Sequence, residues 1–193
     1  MTGPSANNLM AFAFCWLTLG AAAQADEWIH PGPTLPHAQL VDQDDKDRSL
    51  GTLFQDRPVL VNFFFTGCQA VCPTQTAQLA LLQAEIAKRQ PLTGPQPLLL
   101  SISLDPYGDT PASIRAYAER FGLVLGDKGN WLMLSGRQDE LSAVWKAFDQ
   151  DNGDPSQHAS LFWIGHPTSK RWTRADVTTP PSVLLKLLTE AAQ

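Results

Sequence analysis

The run Val59-Leu60-Val61-Asn62-Phe63-Phe64-Phe65 constrains the fold more than any other stretch of this chain. It is β-branched and aromatic, and its apolar residues are nearly continuous rather than alternating. That pattern marks a central strand covered on both faces. A second buried run, Leu98-Leu99-Leu100-Ser101-Ile102-Ser103-Leu104, follows a break at Gly94-Pro95-Gln96-Pro97. Between the two, residues 74–89 read as a helix whose apolar stripe is Ala77, Leu81, Ala84 and the stem of Lys88.

The remaining segments extend this alternation. Residues 39–41 read as a short strand, 42–47 as a polar turn, and Ser49 as the cap of a short turn through Leu53. Asp109-Thr110-Pro111 supplies a capping residue and a first-turn proline for a helix ending near Gly122. Residues 131–134 predict a strand, 137–148 a helix and 151–155 a loop. Residues 160–164 predict a strand, 170–174 its hairpin partner, and 182–192 a closing helix. The order β-β-α-β-α-β-α-β-β-α is that of an α/β, thioredoxin-like sandwich with an added N-terminal hairpin. Phe64 and Trp131 fall in its core.

The first 25 residues set the compartment. Residues 1–8 are polar, residues 9–23 are mostly apolar, and Ala23-Gln24-Ala25 has the small-x-small form of a signal-peptidase site. Fifteen apolar residues fall short of the roughly 20 that a membrane span needs. The reading is an export signal cleaved before Asp26, with an uncleaved anchor as the alternative, because the segment has no Lys or Arg. Residues 26–36 then form a proline-rich tether and residues 37–193 one domain. This places the chain in the bacterial periplasm, soluble or tethered to the inner membrane. Cleavage removes Cys15 and leaves Cys68 and Cys72 as the only cysteines. The net charge of −5 provides no basic surface for nucleic acid.

Cys68 and Cys72 stand at the junction between the first buried strand and the helix that follows. Helix-start N–H groups and the helix dipole favour thiolates there. The spacing is C-x-x-x-C, one residue wider than the thioredoxin C-x-x-C. Residues four apart on a helix have Cβ atoms about 5–6 Å apart, whereas a disulfide wants about 3.5–4.5 Å. The wider gap favours a metal clamp and leaves a disulfide open. A structural staple is the weaker alternative, since so small a loop gains little closure entropy. A third ligand would come from His30, His37, His158 or His166. His158 precedes a strand whose leading loop faces the thiols in a thioredoxin-like sheet. Two sulfurs and one imidazole suit copper, whereas structural zinc wants a fourth ligand.

Phe65-Thr66-Gly67-Cys68-Gln69-Ala70-Val71-Cys72-Pro73 resembles the signature of the Sco/SenC copper proteins. The likeness continues through Asp105-Pro106-Tyr107-Gly108-Asp109-Thr110-Pro111, Trp131-Leu132-Met133-Leu134 and His158-Ala159-Ser160, over residues 33–192. It implies one copper per chain held by Cys68, Cys72 and His158. It also implies delivery to the binuclear copper centre of cytochrome oxidase subunit II. Other copper chaperones and thiol–disulfide reductases are further partners of such proteins. The competing expectation is an extracytoplasmic thiol–disulfide oxidoreductase, with Cys68 attacking and Cys72 resolving. A peroxidase reading lacks the arginine it needs near a single cysteine. Asp105 reads either as a group supporting the site or facing a partner, or as a strand-end turn former. Asp109 reads as a helix cap. Two departures from the family pattern stand out: a short loop at residues 149–157 and a weak N-terminal segment.

Overall fold

A computed structural model describes residues 28–89, 95–150 and 160–193. The strands are β1 (Gln39–Asp42), β2 (Asp47–Ser49), β3 (Val59–Phe64), β4 (Leu98–Ser103), β5 (Trp131–Ser135), β6 (Leu161–His166) and β7 (Arg171–Asp176). Five helices connect them: α1 (Leu50–Leu53), α2 (Cys72–Lys88), α3 (Pro111–Arg120), α4 (Gln138–Ala147) and α5 (Pro181–Ala191). The described strands form one sheet in the order β2-β1-β5-β4-β3-β6-β7. The central three, β5, β4 and β3, are parallel, and antiparallel pairs flank them on both sides. This is the predicted thioredoxin-like sandwich, and its N-terminal addition is the hairpin β1-β2, whose second strand the sequence pattern does not mark.

Every residue of β3, β4 and β5 is buried, because both sheet faces are covered. Side chains alternate between two layers, as the period of a strand requires. Val59, Val61, Phe63, Leu98, Leu100 and Ile102 pack against α1 and α4. Leu60, Leu99 and Trp131 pack against Leu79, Leu82 and Ile86 of α2 and against the leucines of α5. Phe148, just past α4, organises the first layer. Its ring lies 5.6 Å from Trp163, 5.8 Å from Phe63, 5.9 Å from Trp172 and 6.4 Å from Phe54. In the second layer a polar ladder crosses the strands. The Trp131 indole donates to Ser101 Oγ (3.0 Å), which donates to Asn62 Oδ1 (2.6 Å).

Three details differ from the sequence reading. Helix α2 begins at Cys72 rather than Thr74, and it buries Cys72, Gln75, Thr76, Leu79, Leu82 and Ile86. The stripe through Ala77, Leu81 and Ala84 is not the buried one, and Leu81 is 58% exposed. The helix carries two apolar stripes, and the larger side chains of Leu79, Leu82 and Ile86 remove more area from water than alanines do. Residues 47–49 form β2 instead of ending a turn. The buried Asp42 carboxylate makes that possible, accepting from Asp44 N (2.8 Å), Lys46 N (3.1 Å) and Arg48 Nε (2.7 Å). The described part of the proline-rich segment also lies along β7. Ile29 N donates to Trp172 O (2.6 Å), and Arg171 stacks 4.2 Å from the Trp28 ring. Residues 1–25 and the loop at 151–155 lie outside the described residues. Among the described residues no helix is long and apolar enough to cross a membrane.

Phe148→Ala removes the ring that joins four others. It should cost about 3–5 kcal/mol, read as a lower urea midpoint with an unchanged slope. A loss below about 1 kcal/mol would contradict this account of the layer.

Candidate metal and thiol site

Strands β3 and β4 run parallel and end side by side, so the loops leading to α2 and α3 emerge together. The antiparallel register of β3 with β6, Val61 opposite Trp163, brings the start of β6 to the same end. From β3 the chain moves to β4 and β5 on one side, then returns to β6 on the other. Strand order thus reverses beside β3, the position where open α/β sheets hold ligands.

Cys68 lies half-buried in the β3–α2 loop, and Cys72, the first residue of α2, is fully buried against Phe64, Ile114, Tyr117 and Met133. Both are free thiols. The residue before α2 is Val71, which offers no side-chain cap. Instead the Cys72 N–H donates to Cys68 Sγ (3.5 Å). The sulfur therefore occupies the place of a capping oxygen, facing N–H groups that a helix start leaves unpaired. Burial opposes a charge on Cys68. Hydrogen bonds from the Cys72 side chain and from the backbone of Cys72, Ala70 and Val71 outweigh it and hold this thiol below its ordinary range. Cys72 behaves oppositely: burial, reinforced by its hydrogen bond to Cys68, pushes it up to about 12. One sulfur is thus accessible and acidic, and the other is shielded and protonated.

Asp109 positions this loop. It is not the cap of α3; Thr110 takes that role, its Oγ1 accepting from Ser113 N (3.2 Å). The buried Asp109 carboxylate instead accepts from Thr66 N (2.8 Å), Thr66 Oγ1 (2.7 Å) and Ser103 Oγ (2.6 Å). Burial raises its pKa, and the three donors work against that rise. Asp105 is the turn former: its Oδ1 accepts from Tyr107 N (3.2 Å) and Gly108 N (2.9 Å). The sequence did hold a signal for the clamp. Asp109 and Thr110 are adjacent capping residues for one helix start, so one of them was free for another partner.

The histidines separate clearly. His30 and His37 are exposed. His166 ends β6 at the opposite end of the strands, next to Gly165, which pairs with Val59 at the start of β3. Its Nδ1 accepts from Thr168 N (3.2 Å) within a turn. His158 lies outside the described residues, which contain no group of three or more His, Cys, Asp or Glu able to hold a metal. The described part of the site supplies two sulfurs on one helix start, a donor pair that fits a soft ion with a further ligand. One turn beyond Cys72, the amide of the buried Gln75 has no hydrogen-bond partner among the described residues. A buried amide left unpaired costs about 1–3 kcal/mol, which sets this helix start apart from ordinary core.

The SCO1/SenC family model matches residues 31–191. A SCO1 protein homolog of Bacillus subtilis is 30% identical over 135 residues, 66% of this chain and 66% of that protein. The chain spans as little as 50% of the length of the curated relatives it matches. BsSco, described as a member of the Sco family of cytochrome c oxidase assembly proteins with a disulfide switch, superposes with a TM-score of 0.72. It is 24% identical, with 88% of this chain and 98% of that one covered. Bradyrhizobium japonicum ScoI, solved with copper bound, gives a TM-score of 0.60 at 22% identity, covering 83% and 98%. These structural likenesses establish the thioredoxin-like fold.

Two outcomes follow from the geometry. Of Cys68 and Cys72, alkylation of the reduced chain should modify only Cys68, with a rate midpoint below the ordinary thiol pKa, and reach Cys72 only on unfolding. Replacing Cys72 by Ala removes the S–H donor and should move that midpoint upward; a downward move would overturn the hydrogen-bond account. Asp109→Ala leaves three donors unpaired and should lose about 2–4 kcal/mol, with Asp109→Asn losing less. In the folded fraction the Ala variant should also shift the Cys68 alkylation midpoint, which a purely distant core defect would leave in place.

Proposed function

We propose a function from one premise: the chain belongs to the SCO1/SenC family, whose model matches residues 31–191. The proposed activity is that of a copper metallochaperone of the bacterial periplasm, soluble or tethered to the inner membrane. One copper ion would be held by Cys68, Cys72 and His158 and delivered to the binuclear copper centre of cytochrome oxidase subunit II. The observation that carries this reading is the pair of sulfurs at the start of α2, Cys68 Sγ accepting the Cys72 N–H at 3.5 Å. Two soft donors from one helix start suit copper, and thiolate ligands bind it with release of protons. The copper bound to Bradyrhizobium japonicum ScoI and the oxidase-assembly role of the Sco proteins support the same reading. Delivery needs no turnover chemistry. Sulfurs of an acceptor replace those of this chain one at a time, beginning at the accessible Cys68.

A second reading rests on the asymmetry of the two thiols. As a thiol–disulfide reductase, the Cys68 thiolate would attack a partner disulfide, forming a mixed disulfide and releasing one partner thiolate. Cys72 would then attack Cys68 Sγ and release the second. The chain ends as the Cys68–Cys72 disulfide, and the partner has gained two electrons and two protons. His158 has no part in that scheme.

Copper titration of the reduced protein separates the two. The chaperone reading expects one-to-one binding by the wild type and an affinity at least about tenfold weaker in His158→Ala. Equal affinity in both proteins, together with fast reduction of partner disulfides, would replace it with the reductase reading.

A further inference from the structure

We propose that Tyr107 is the docking anchor for the copper-accepting domain, a protein presenting its cysteines on an uncharged surface; this rests on the delivery role proposed above. Tyr107 is 83% exposed. Among the described residues, the other large exposed apolar side chains are Leu81 in the middle of α2, Val124 beyond α3 and Val183 on α5. Among the described residues, only Tyr107 stands on a loop hydrogen-bonded to the loop of Cys68.

The connection is short and rigid. Asp105 Oδ1 holds the backbone N–H groups of Tyr107 and Gly108. A Cβ at position 108 would meet the Asp105 carboxylate, so glycine there lets that carboxylate keep its bonds to the turn. Ser113 Oγ donates to Gly108 O (2.7 Å), tying the turn to α3. Asp109, two residues past Tyr107, grips Thr66 through its backbone N–H and its hydroxyl, two residues before Cys68. The Tyr107 backbone is therefore held in register with the thiol. A partner that engages it loses little further backbone freedom on binding.

Chemistry limits what fits there. Residues 65–71 and 104–110 contain two charged side chains, Asp105 and Asp109, and Asp109 is buried. Within these two described loops charge steering has little to act on, so contact area supplies the affinity there. Tyrosine is among the residues that dominate such interfaces, because its large rigid face is buried at low entropic cost. The matching surface is apolar or neutral and places its sulfurs beside the aromatic contact.

The test loads the full chain with copper and follows transfer to two acceptors. One is the copper-free soluble domain of oxidase subunit II from the same genome; the other is bathocuproine disulfonate, a small chelator that needs no docking surface. Tyr107→Ala should slow transfer to the protein domain by about tenfold or more, with chelator transfer unchanged, and Tyr107→Phe should restore most of the rate. Wild-type speed in Tyr107→Ala sinks the docking role alone, as does equal slowing with both acceptors, which would place the effect at the thiols. A wild type that transfers to the chelator and never to the domain sinks the delivery role and this inference with it.

Discussion

One buried carboxylate holds this end of the molecule together. Three hydrogen-bond donors meet Asp109, two from the loop after β3 and one from the end of β4. Burying a carboxylate is unfavourable unless it is hydrogen-bonded, and here Oδ1 accepts two bonds and Oδ2 one. An asparagine of the same shape offers one accepting atom, so it can satisfy only part of this arrangement. The consequence is geometric. The chain must turn at Thr66 where Asp109 dictates, and Gly67, Cys68 and the first turn of α2 follow from that point. On the other side the same residue fixes the turn that carries Asp105 and Tyr107.

The start of α2 couples fold to reactivity. Helices usually begin behind Ser, Thr, Asp or Asn, and losing such a cap costs about 1 kcal/mol. Here that role falls to a sulfur contributed from four residues before the first helical residue. A neutral thiol is a weak acceptor, whereas a thiolate is a strong one that also meets the positive end of the helix dipole. Ionising Cys68 and ordering the helix start therefore favour one another. Cys72 receives no such benefit, because its side chain lies among Phe64, Ile114, Tyr117 and Met133.

What was legible in the sequence follows a simple division. The buried strands at 59–65 and 98–104 could be read because continuous apolar runs have few other uses, and the cysteines because their spacing is local. The buried face of α2 was misread because Leu81 and Leu82 are adjacent and lie on different stripes, so periodicity alone offered two answers. β2 was missed because Asp47, Arg48 and Ser49 have no strand propensity; a buried Asp42 makes them a strand. The clamp was missed for a different reason. Thr66 and Asp109 are 43 residues apart, and no periodicity links positions that meet only once β3 and β4 are paired.

The inequality of the thiols gives the proposed exchange an order. When a sulfur leaves copper it must be stable as a free thiolate or find a proton. Cys68 would leave into hydrogen bonds from Cys72, Ala70 and Val71 that hold it below the ordinary thiol range. Cys72 would leave into an apolar enclosure that pushes its pKa up to about 12, so it releases last and only once a proton is supplied. In the proposed exchange an acceptor sulfur would thus meet first the ligand that is both exposed and the better leaving group. The buried cysteine would keep the ion from being lost to solvent before the acceptor holds it. The same inequality makes Cys68 the attacking thiol in disulfide exchange, so one local arrangement serves both chemistries. What separates them is the ligand beyond the two sulfurs, since a metal needs it and an electron pair does not.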